Sequence, residues 1–559
     1  MKTLTKTLFS LIVLVALATS CKKPVPLQVK HIPKNATVVG VINTKAIAGK
    51  MLANKSTIEN ILKSATTNDT ASAKGKQEWE DLMESGIDLT SNFYVSLSQK
   101  DGNIAMGKGT MVFAAIGTLS SEEKLEKYLK KKKPNAEIKK DKNYSYTTMD
   151  GDKMVAWSND LVVAISYQSA GGRSKDYDSA TGEFNMKPQA NAEGSLKTEM
   201  DNYFTLKEDQ SVASIPEFRD MMQNTADASM WVNASASMEN MPLPQVKELL
   251  GNSYMAATLN FEDGKVVVDS KSYYSKEMKD LLTKYMGTEA DMSLVEKYPS
   301  ANVSGFMVMN MNPEIINNVV KKLEMGGIAD AQLTTMMGSN YTLADMLKSI
   351  KGDMAVIVSD IAAGSQFKML GNIAIGDKIQ MFRLMDKLVE MKMMVKTPGG
   401  YSLASAMQQK GFVANVDEKN ILMSNNDMLV NAYKDKSGKA TIDKEVLDQL
   451  KGKQMAVYVN FQSIMNGMSQ NANPFSDSSM TNTIAKAKET FKDMRMYVNK
   501  YDGKDLSAHY ELNFVNAKEN SLASLLKFGE AVSKTMNMKM NEMKMDAPAA
   551  ADSIPVSMR

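Results

Sequence analysis

The sequence predicts an α+β protein made of two tandem copies of one unit, in which helices pack on a mixed, mostly antiparallel sheet. The composition is that of a folded globular protein, because 43% of the 559 residues are apolar and 23% are charged. Short β-branched runs follow one another across turn residues, which favours hairpins over parallel βαβ units. Several landmarks also recur in the same order in both halves, and this recurrence predicts an internal duplication.

The N-terminus has the layout of a secretory signal, with a basic start and an apolar run from Leu8 to Ala18. This run is shorter than the roughly 20 residues that span a bilayer. It leads to Cys21, the only cysteine of the chain, in a pattern that resembles the lipobox of bacterial lipoproteins. The resemblance implies cleavage between Ser20 and Cys21 and lipidation of the Cys21 sulfur, which would anchor the protein stably. The alternative is an ordinary cleaved signal with a chance cysteine.

The sequence predicts the following division of the chain into segments. Residues 1–20 form the signal peptide, and residues 21–30 form the lipidated cysteine and its tether. The two α+β repeats are expected at 31–286 and 296–536, and a Met-rich, then disordered, tail at 537–559.

The first landmark is a proline turn followed by a strand and a helix. Residues 32–43 read IPKNATVVGVIN and lead into a predicted helix over 44–62. Residues 298–310 read YPSANVSGFMVMN, and Pro313 then opens a helix to about residue 323. The two segments therefore predict the same start for both repeats.

The remaining landmarks are pairs of helices, strands and hairpins in matching order. Helix 77–85 and strand 92–97 match helix 343–350 and strand 354–359, and strand 110–117 and helix 122–132 match strand 369–376 and helix 379–391. The hairpin at 149–160 matches that at 416–427, and the strand at 231–233 matches that at 458–460. Finally, the hairpins that turn at 263–265 and 502–504 lead into final helices from about 276 and 520. Ser120 and Glu123 have capping-box spacing at one helix start. The polar segments 169–194 and 467–482 are expected to be surface loops and contact surfaces.

Charge argues against a polyanionic partner. The chain has 67 basic and 64 acidic residues and a net charge of +3. Nearly all basic residues are lysine, whereas recognition of bases and phosphates favours the arginine fork. The sequence therefore predicts no nucleic-acid binding. The five arginines are Arg173, Arg219, Arg383, Arg495 and Arg559.

Histidine and cysteine are too scarce for most catalytic centres. His31 and His509 are the only histidines, and they do not occupy matching positions in the two repeats. The chain therefore has too few histidines and cysteines to build a zinc site or a Cys/His or Ser/His nucleophile. We expect both histidines to be incidental, the protein not to be an enzyme, and no cofactor.

Carboxylates offer the main catalytic alternative, a glycan hydrolase with a pair of acidic residues. The matched pairs are Asp150 with Asp417, Asp160 with Asp427, and Asp263 with Asp502. Each lies in or beside a predicted turn, where aspartate is favoured for its own backbone hydrogen bonds. Turn formation is therefore the preferred interpretation.

Two clusters admit a binding function. The lysine-rich run 127–142 could contact anionic lipid or glycan head groups, although cations also stabilise a helix C-terminus. Methionines crowd near the C-terminus, and thioethers select Cu(I), but their spacing also extends an apolar helical stripe that begins near Leu522. We prefer the structural interpretation of both clusters. The methionines are Met536, Met538, Met540, Met543 and Met545.

The segment from Ile32 to Ile42, behind the lipobox at Cys21, resembles a family of Bacteroidota lipoproteins known as the domain of unknown function 4836. The resemblance implies a cell-envelope location and carries no catalytic residues. The expected protein is an outer-membrane lipoprotein with a binding or scaffolding role toward a protein, glycan or lipid partner. Lys22 and Lys23, in place of acidic residues, favour the periplasmic side over the cell surface.

Overall fold

The computed structural model describes residues 25–53, 69–100, 109–149, 152–169, 175–178, 183–186, 192–238, 244–337, 341–362, 366–405, 408, 411–437, 439–470 and 478–546. The chain divides into two compact units. Unit 1 comprises residues 1–47, 80–241 and 254–258, and unit 2 comprises residues 48–79, 242–253 and 259–559.

The strands of the described chain are numbered in sequence order. They are β1 (Val38–Ile42), β2 (Phe93–Lys100), β3 (Thr110–Thr118), β4 (Lys139–Lys140), β5 (Ser145–Met149), β6 (Lys153–Ser158), β7 (Leu161–Ser169), β8 (Lys175–Asp178), β9 (Glu183–Met186), β10 (Ala228–Asn233), β11 (Tyr254–Glu262), β12 (Lys265–Tyr273), β13 (Val303–Asn310), β14 (Ile350–Ala362), β15 (Gln366–Ile375), β16 (Met394–Thr397), β17 (Gly400–Leu403), β18 (Val413–Val416), β19 (Asn420–Ser424), β20 (Met455–Asn460), β21 (Phe491–Val498) and β22 (Leu506–Phe514).

The helices are numbered in the same way. They are α1 (Thr44–Ala53), α2 (Asp69–Met83), α3 (Glu122–Lys132), α4 (Ala192–Thr205), α5 (Pro216–Gln223), α6 (Ala234–Ser237), α7 (Pro244–Leu250), α8 (Lys276–Tyr285), α9 (Ser293–Glu296), α10 (Glu314–Lys322), α11 (Gly326–Met337), α12 (Leu343–Lys348), α13 (Lys378–Glu390), α14 (Asp427–Lys434), α15 (Lys444–Leu450), α16 (Phe461–Gln470), α17 (Ser478–Thr490) and α18 (Ser521–Asp546).

Unit 1 contains an antiparallel sheet in the order β10–β1–β2–β3–β7–β6–β5–β4. One face is buried under helices: the Tyr203 hydroxyl of α4 lies 3.2 Å from Ser96 Oγ, and Phe218 of α5 packs edge-on against Trp231. On the opposite face, α3 covers β6 and β7 by packing Leu125 against Trp157 and Val162 in one apolar cluster. The central strands of that opposite face remain accessible.

In unit 2, the strands pair antiparallel in the order β12–β22–β21–β20–β13–β14–β15–β19–β18–β17–β16. Its largest core lies between the central strands and α9, α14 and α15, with Val295, Val430 and Ile357 fully buried. A smaller core packs α13 on β16–β18 around Met381 and Tyr401.

The α+β class and the antiparallel pairing are confirmed. The predicted helix 122–132 is α3, strand 110–117 is β3 extended by one residue, and the final helices begin at Lys276 and Ser521. The predicted helix over 44–62 begins at Thr44 and is described to Ala53, and its later residues lie outside the described ranges.

Three local predictions are wrong. Ser121, not Ser120, caps α3, because the Ser120 hydroxyl donates to the carbonyl of Gly86 instead. The predicted loop 169–194 contains the hairpin of β8 and β9 and the start of α4, in a register that pairs Tyr177 with Phe184. The predicted loop 467–482 contains the end of α16 and the start of α17. The turn predicted at 502–504 does join two strands that pair as a hairpin, within a connection that runs from Val498 at the end of β21 to Leu506 at the start of β22.

The predicted tether is also more ordered than expected at its end. Residues Leu27–His31 form a 3-10 helix, and Val29 is fully buried because the segment packs into unit 1. None of the helices in the described part of the chain is both long and apolar enough to cross a bilayer.

Candidate functional site

The densest group of charged side chains in unit 2 lies on one face of three adjacent strands, β12, β22 and β21. Cross-strand partners in a sheet share a face, and His509 is paired with Asp269 on one side and Tyr497 on the other. Two residues further on, Glu511 is paired with Arg495. We call this group, together with Lys265, Gln449, Glu445 and Asp493, the Glu511 cluster.

Glu511 is the centre of the cluster. Its Oε1 lies 2.7 Å from the ammonium of Lys265 and 3.2 Å from His509 Nε2, and its Oε2 accepts from the Gln449 amide at 3.0 Å. These partners, His509 first and against the opposing effect of burial, hold the pKa of Glu511 well below its ordinary value. The carboxylate is therefore ionised although its side chain is only 9% exposed.

His509 lies between two carboxylates. Its Nε2 contacts Glu511, and its Nδ1 lies 2.7 Å from Asp269 Oδ1. The hydrogen bond with Glu511, joined by that with Asp269 and opposed by burial, raises the pKa of His509. Because both ring nitrogens face acceptors, the doubly protonated imidazolium satisfies both contacts. Tyr497 stacks on the ring with centroids 4.9 Å apart, and the Lys453 ammonium lies 4.1 Å from the Tyr497 centroid.

Arg495 forms the buried end of the cluster, with 5% of its side chain exposed. Its Nε donates to Asp493 at 3.0 Å, and one terminal nitrogen donates to both Glu445 and Gln449 of α15, at 3.1 and 2.8 Å. Burial, followed by the charge of Asp493, raises the pKa of the neighbouring Tyr458 to about 12. The guanidinium thus ties α15 to the sheet through charge-assisted hydrogen bonds.

Chemically, the cluster is a network of mutually satisfied charges. Each of its carboxylates already accepts from a cation or an amide of the same cluster, and its most exposed side chains are those of Glu445 (75%) and Asp269 (57%). Within the described ranges, no group of three or more His, Cys, Asp or Glu side chains is arranged to hold a metal ion. The arrangement favours the protonated form of His509 between two carboxylates, and it ties three strands together.

The structure describes no side chain of the predicted anchor residues or of the predicted copper-binding methionines. Ser20 and Cys21 lie outside the described residues. The five methionines of the predicted copper site, from Met536 to Met545, fall on the backbone of α18, and their side chains lie outside the described set.

The predicted carboxylates occupy separate turns and helix starts. Asp417 accepts from the backbone N–H groups of residues 419 and 420 at 2.7 and 2.8 Å, as expected for a turn aspartate. Asp502 accepts from those of residues 504 and 505 at 2.8 and 2.9 Å, and these bonds lower its pKa. Asp427 lies in the first turn of α14, and the backbone of Asp263 forms an isolated antiparallel β-bridge with that of Asn520. Asp150 lies outside the described residues.

The lysine run and His31 have structural contacts. Lys131 and Lys132 both pair with the buried Asp81, at 2.7 and 3.1 Å. His31 Nδ1 lies 2.8 Å from the carbonyl oxygen of Tyr203.

The sequence did not reveal that strand pairing brings His509 between Asp269 and Glu511. The available signal was the alternation of polar residues at core-facing positions, in His509–Glu511–Asn513 and in Asp493–Arg495. Sequence reasoning examined histidine numbers and missed this period-two pattern.

Comparison with known proteins gives one match to a family. A family model described as "Domain of unknown function (DUF4836)" matches residues 29–522. No curated protein matches the chain significantly. Among solved structures, crystal form III of TP0453 is 10% identical with a TM-score of 0.25 and covers 48% of this chain and 90% of that chain. Crystal form IV of TP0453 is 12% identical with a TM-score of 0.26, covering 45% and 83%. Scores this low carry no inference about fold or function.

Proposed function

The chain belongs to the family of the domain of unknown function DUF4836, and from that premise we propose that it is a lipid-anchored cell-envelope protein with a non-catalytic binding or scaffolding role. The observation that carries the proposal is the state of the Glu511 cluster. Its carboxylates and cations are committed to one another, which suits a rigid support better than a reactive centre.

The anchor rests on the lipobox-like sequence before Cys21. Cys21→Ser removes the sulfur that would carry the diacylglyceryl group, so we expect the protein to move from the membrane to the soluble fraction of the cell envelope. An equally membrane-bound variant contradicts the anchor. Protease treatment of intact and permeabilised cells tests the proposed periplasm-facing position in the outer membrane, because only permeabilisation should expose the protein.

The binding role is tested by crosslinking in intact cells followed by mass spectrometry. We expect reproducible crosslinks to the same envelope partner from both units. Crosslinks that scale only with protein abundance would contradict a specific role. The hydrolase alternative stays a prediction: release of reducing ends from envelope glycans by the wild type, lost in Asp417→Asn or Asp502→Asn, would support it instead. The copper alternative also stays a prediction, and it fails if deleting residues 536–559 leaves Cu(I) affinity unchanged.

We also propose that the two units descend from one duplicated sequence. In unit 1 the strand order is β10–β1–β2–β3–β7–β6–β5–β4. In unit 2 the order β20–β13–β14–β15–β19–β18–β17–β16 matches it strand for strand. The sequence landmarks pair β1 with β13 and β10 with β20, and these strands occupy equivalent places in the two orders, which supports the proposal.

A further inference from the structure

The accessible face of the unit 1 sheet is apolar, and we call its part on β10, β1, β2 and β3 the open face. Cross-strand pairs place Met230, Gly40, Val95 and Ala115 in one row across these strands. Every position on this face within residues 38–42, 93–97, 113–117 and 228–232 is apolar or glycine. Its four large exposed side chains are Ile42 (40% exposed), Val95 (41%), Phe113 (36%) and Met230 (42%).

A face of this composition that the described helices leave uncovered is unusual for an antiparallel sheet. Such sheets normally alternate apolar residues toward the core with polar residues toward water. Here the alternate residues of the same strands, such as Val39, Tyr94 and Trp231, already fill the core on the other face. Both faces are therefore apolar, which is the pattern of a sheet that is covered on both sides in its working state.

The size of the open face decides between occupants. Four strands about 4.8 Å apart, with about five residues each at about 3.3 Å, make a surface of about 300 Å². A stable protein–protein interface buries roughly 800 Å² of accessible surface on each partner, so the open face by itself would not supply a stable interface with a second copy of the chain. It fits a long alkyl chain, which needs apolar contact and no hydrogen bonds.

The border of the face adds charge. Helix α3 covers β6 and β7 on the same side of the sheet, and the segment from Lys127 to Lys133 carries five lysines and no acidic residue; Lys131 and Lys132 of this segment pair with Asp81. Phosphate oxygens would complement these cations.

We propose that the open face binds one anionic phospholipid, with an acyl chain lying across β10, β1, β2 and β3 and the phosphate beside α3. The inference rests on the proposed binding role and names lipid as the ligand class. It does not depend on the Cys21 anchor, because the anchor concerns membrane attachment and the open face concerns a bound lipid molecule.

The test measures binding of phosphatidylglycerol with a fluorescent acyl chain to the purified full chain at submicellar lipid concentration. The main variant is Val95→Lys, which puts a charge in the middle of the face. The matched control is Val395→Lys, since Val395 is 44% exposed on β16, outside the face. A second variant, Ala115→Phe, fills the space beside Val95 without adding charge, and thermal unfolding confirms that each variant folds.

We expect saturable binding of one lipid per chain, weakened about tenfold or more by Val95→Lys and by Ala115→Phe, and unchanged by Val395→Lys. Unlabelled phosphatidylglycerol should compete better than zwitterionic phosphatidylcholine. Equal affinity of Val95→Lys and Val395→Lys, or binding only to vesicle surfaces, overturns the proposal. Equal competition by the two lipids overturns the role of α3. Membrane release of Cys21→Ser is measured separately, so a failed anchor and a failed lipid site give different results.

Discussion

Neutralising Glu511 should weaken the pairing of β12 with β22 far more than neutralising another carboxylate beside the same lysine. Glu511→Gln keeps the shape of the side chain but replaces charge-assisted contacts to Lys265 and His509. Hydrogen bonds to charged groups contribute about 1.5–3 kcal/mol each, and the partial exposure of Lys265 reduces this value. We expect a loss of about 2–4 kcal/mol.

The control is Glu262→Gln, because Glu262 faces the same Lys265 at 3.8 Å but is 47% exposed. Exposed pairs contribute about 0–1 kcal/mol. Native-state hydrogen exchange of amides in 506–514 reports the local opening free energy, which is needed because a chain with two units need not unfold in one step. Equal effects of the two variants, or a loss below about 0.5 kcal/mol for Glu511→Gln, would refute the reasoning.

Three further outcomes are expected. The pKa of His509 is raised from 6.5, so the protonated side chain stabilises the fold fully below that pH, and this contribution is lost as the pH rises through the folded-state pKa. The difference in free energy of unfolding between the wild type and His509→Asn should therefore shrink in urea titrations from pH 6 to 9. Gly264→Ala should lower the melting temperature more than Gly503→Ala: both glycines have positive φ, but a Cβ at Gly264 would lie 2.6 Å from facing backbone, whereas Gly503 has open space. Asp81→Asn should lower the free energy of unfolding in urea by about 1–3 kcal/mol, because Lys131 and Lys132 lose the buried carboxylate with which both pair. The control Glu137→Gln should change it hardly at all, because Glu137 is exposed.

The fold class and most element positions could be predicted because each depends on local pattern. The run before Asn43 is rich in β-branched residues, and α3 has an apolar face at Leu125 and Leu129. Such signals need no knowledge of distant residues. The hairpin of β8 and β9 was missed because its polar composition suggested a loop, while strand pairing is set by partners as well as by sequence.

The Glu511 cluster could not be predicted because its members come together through pairing across long sequence distances. Asp269 and His509 are 240 residues apart and are joined only by the register of β12 with β22. The alternation of polar residues in β21 and β22 shows that these strands present charge on one face, but it does not reveal which strand completes the set. The apolar composition of the open face was visible in the sequence, whereas its exposure depends on which helices pack where.

The pairing of β12 with β22 has a consequence for how the chain folds as it is made. Strand β12 is complete at residue 273, but its partner appears only at residues 506–514, near the end of synthesis. Until then, one edge of β12 must remain unpaired, and an unpaired strand edge can recruit the wrong neighbour. Contacts of such long range also slow folding. Chains cut short before residue 506 would therefore keep this edge open and should be prone to aggregate, even though the whole of unit 1 is already present.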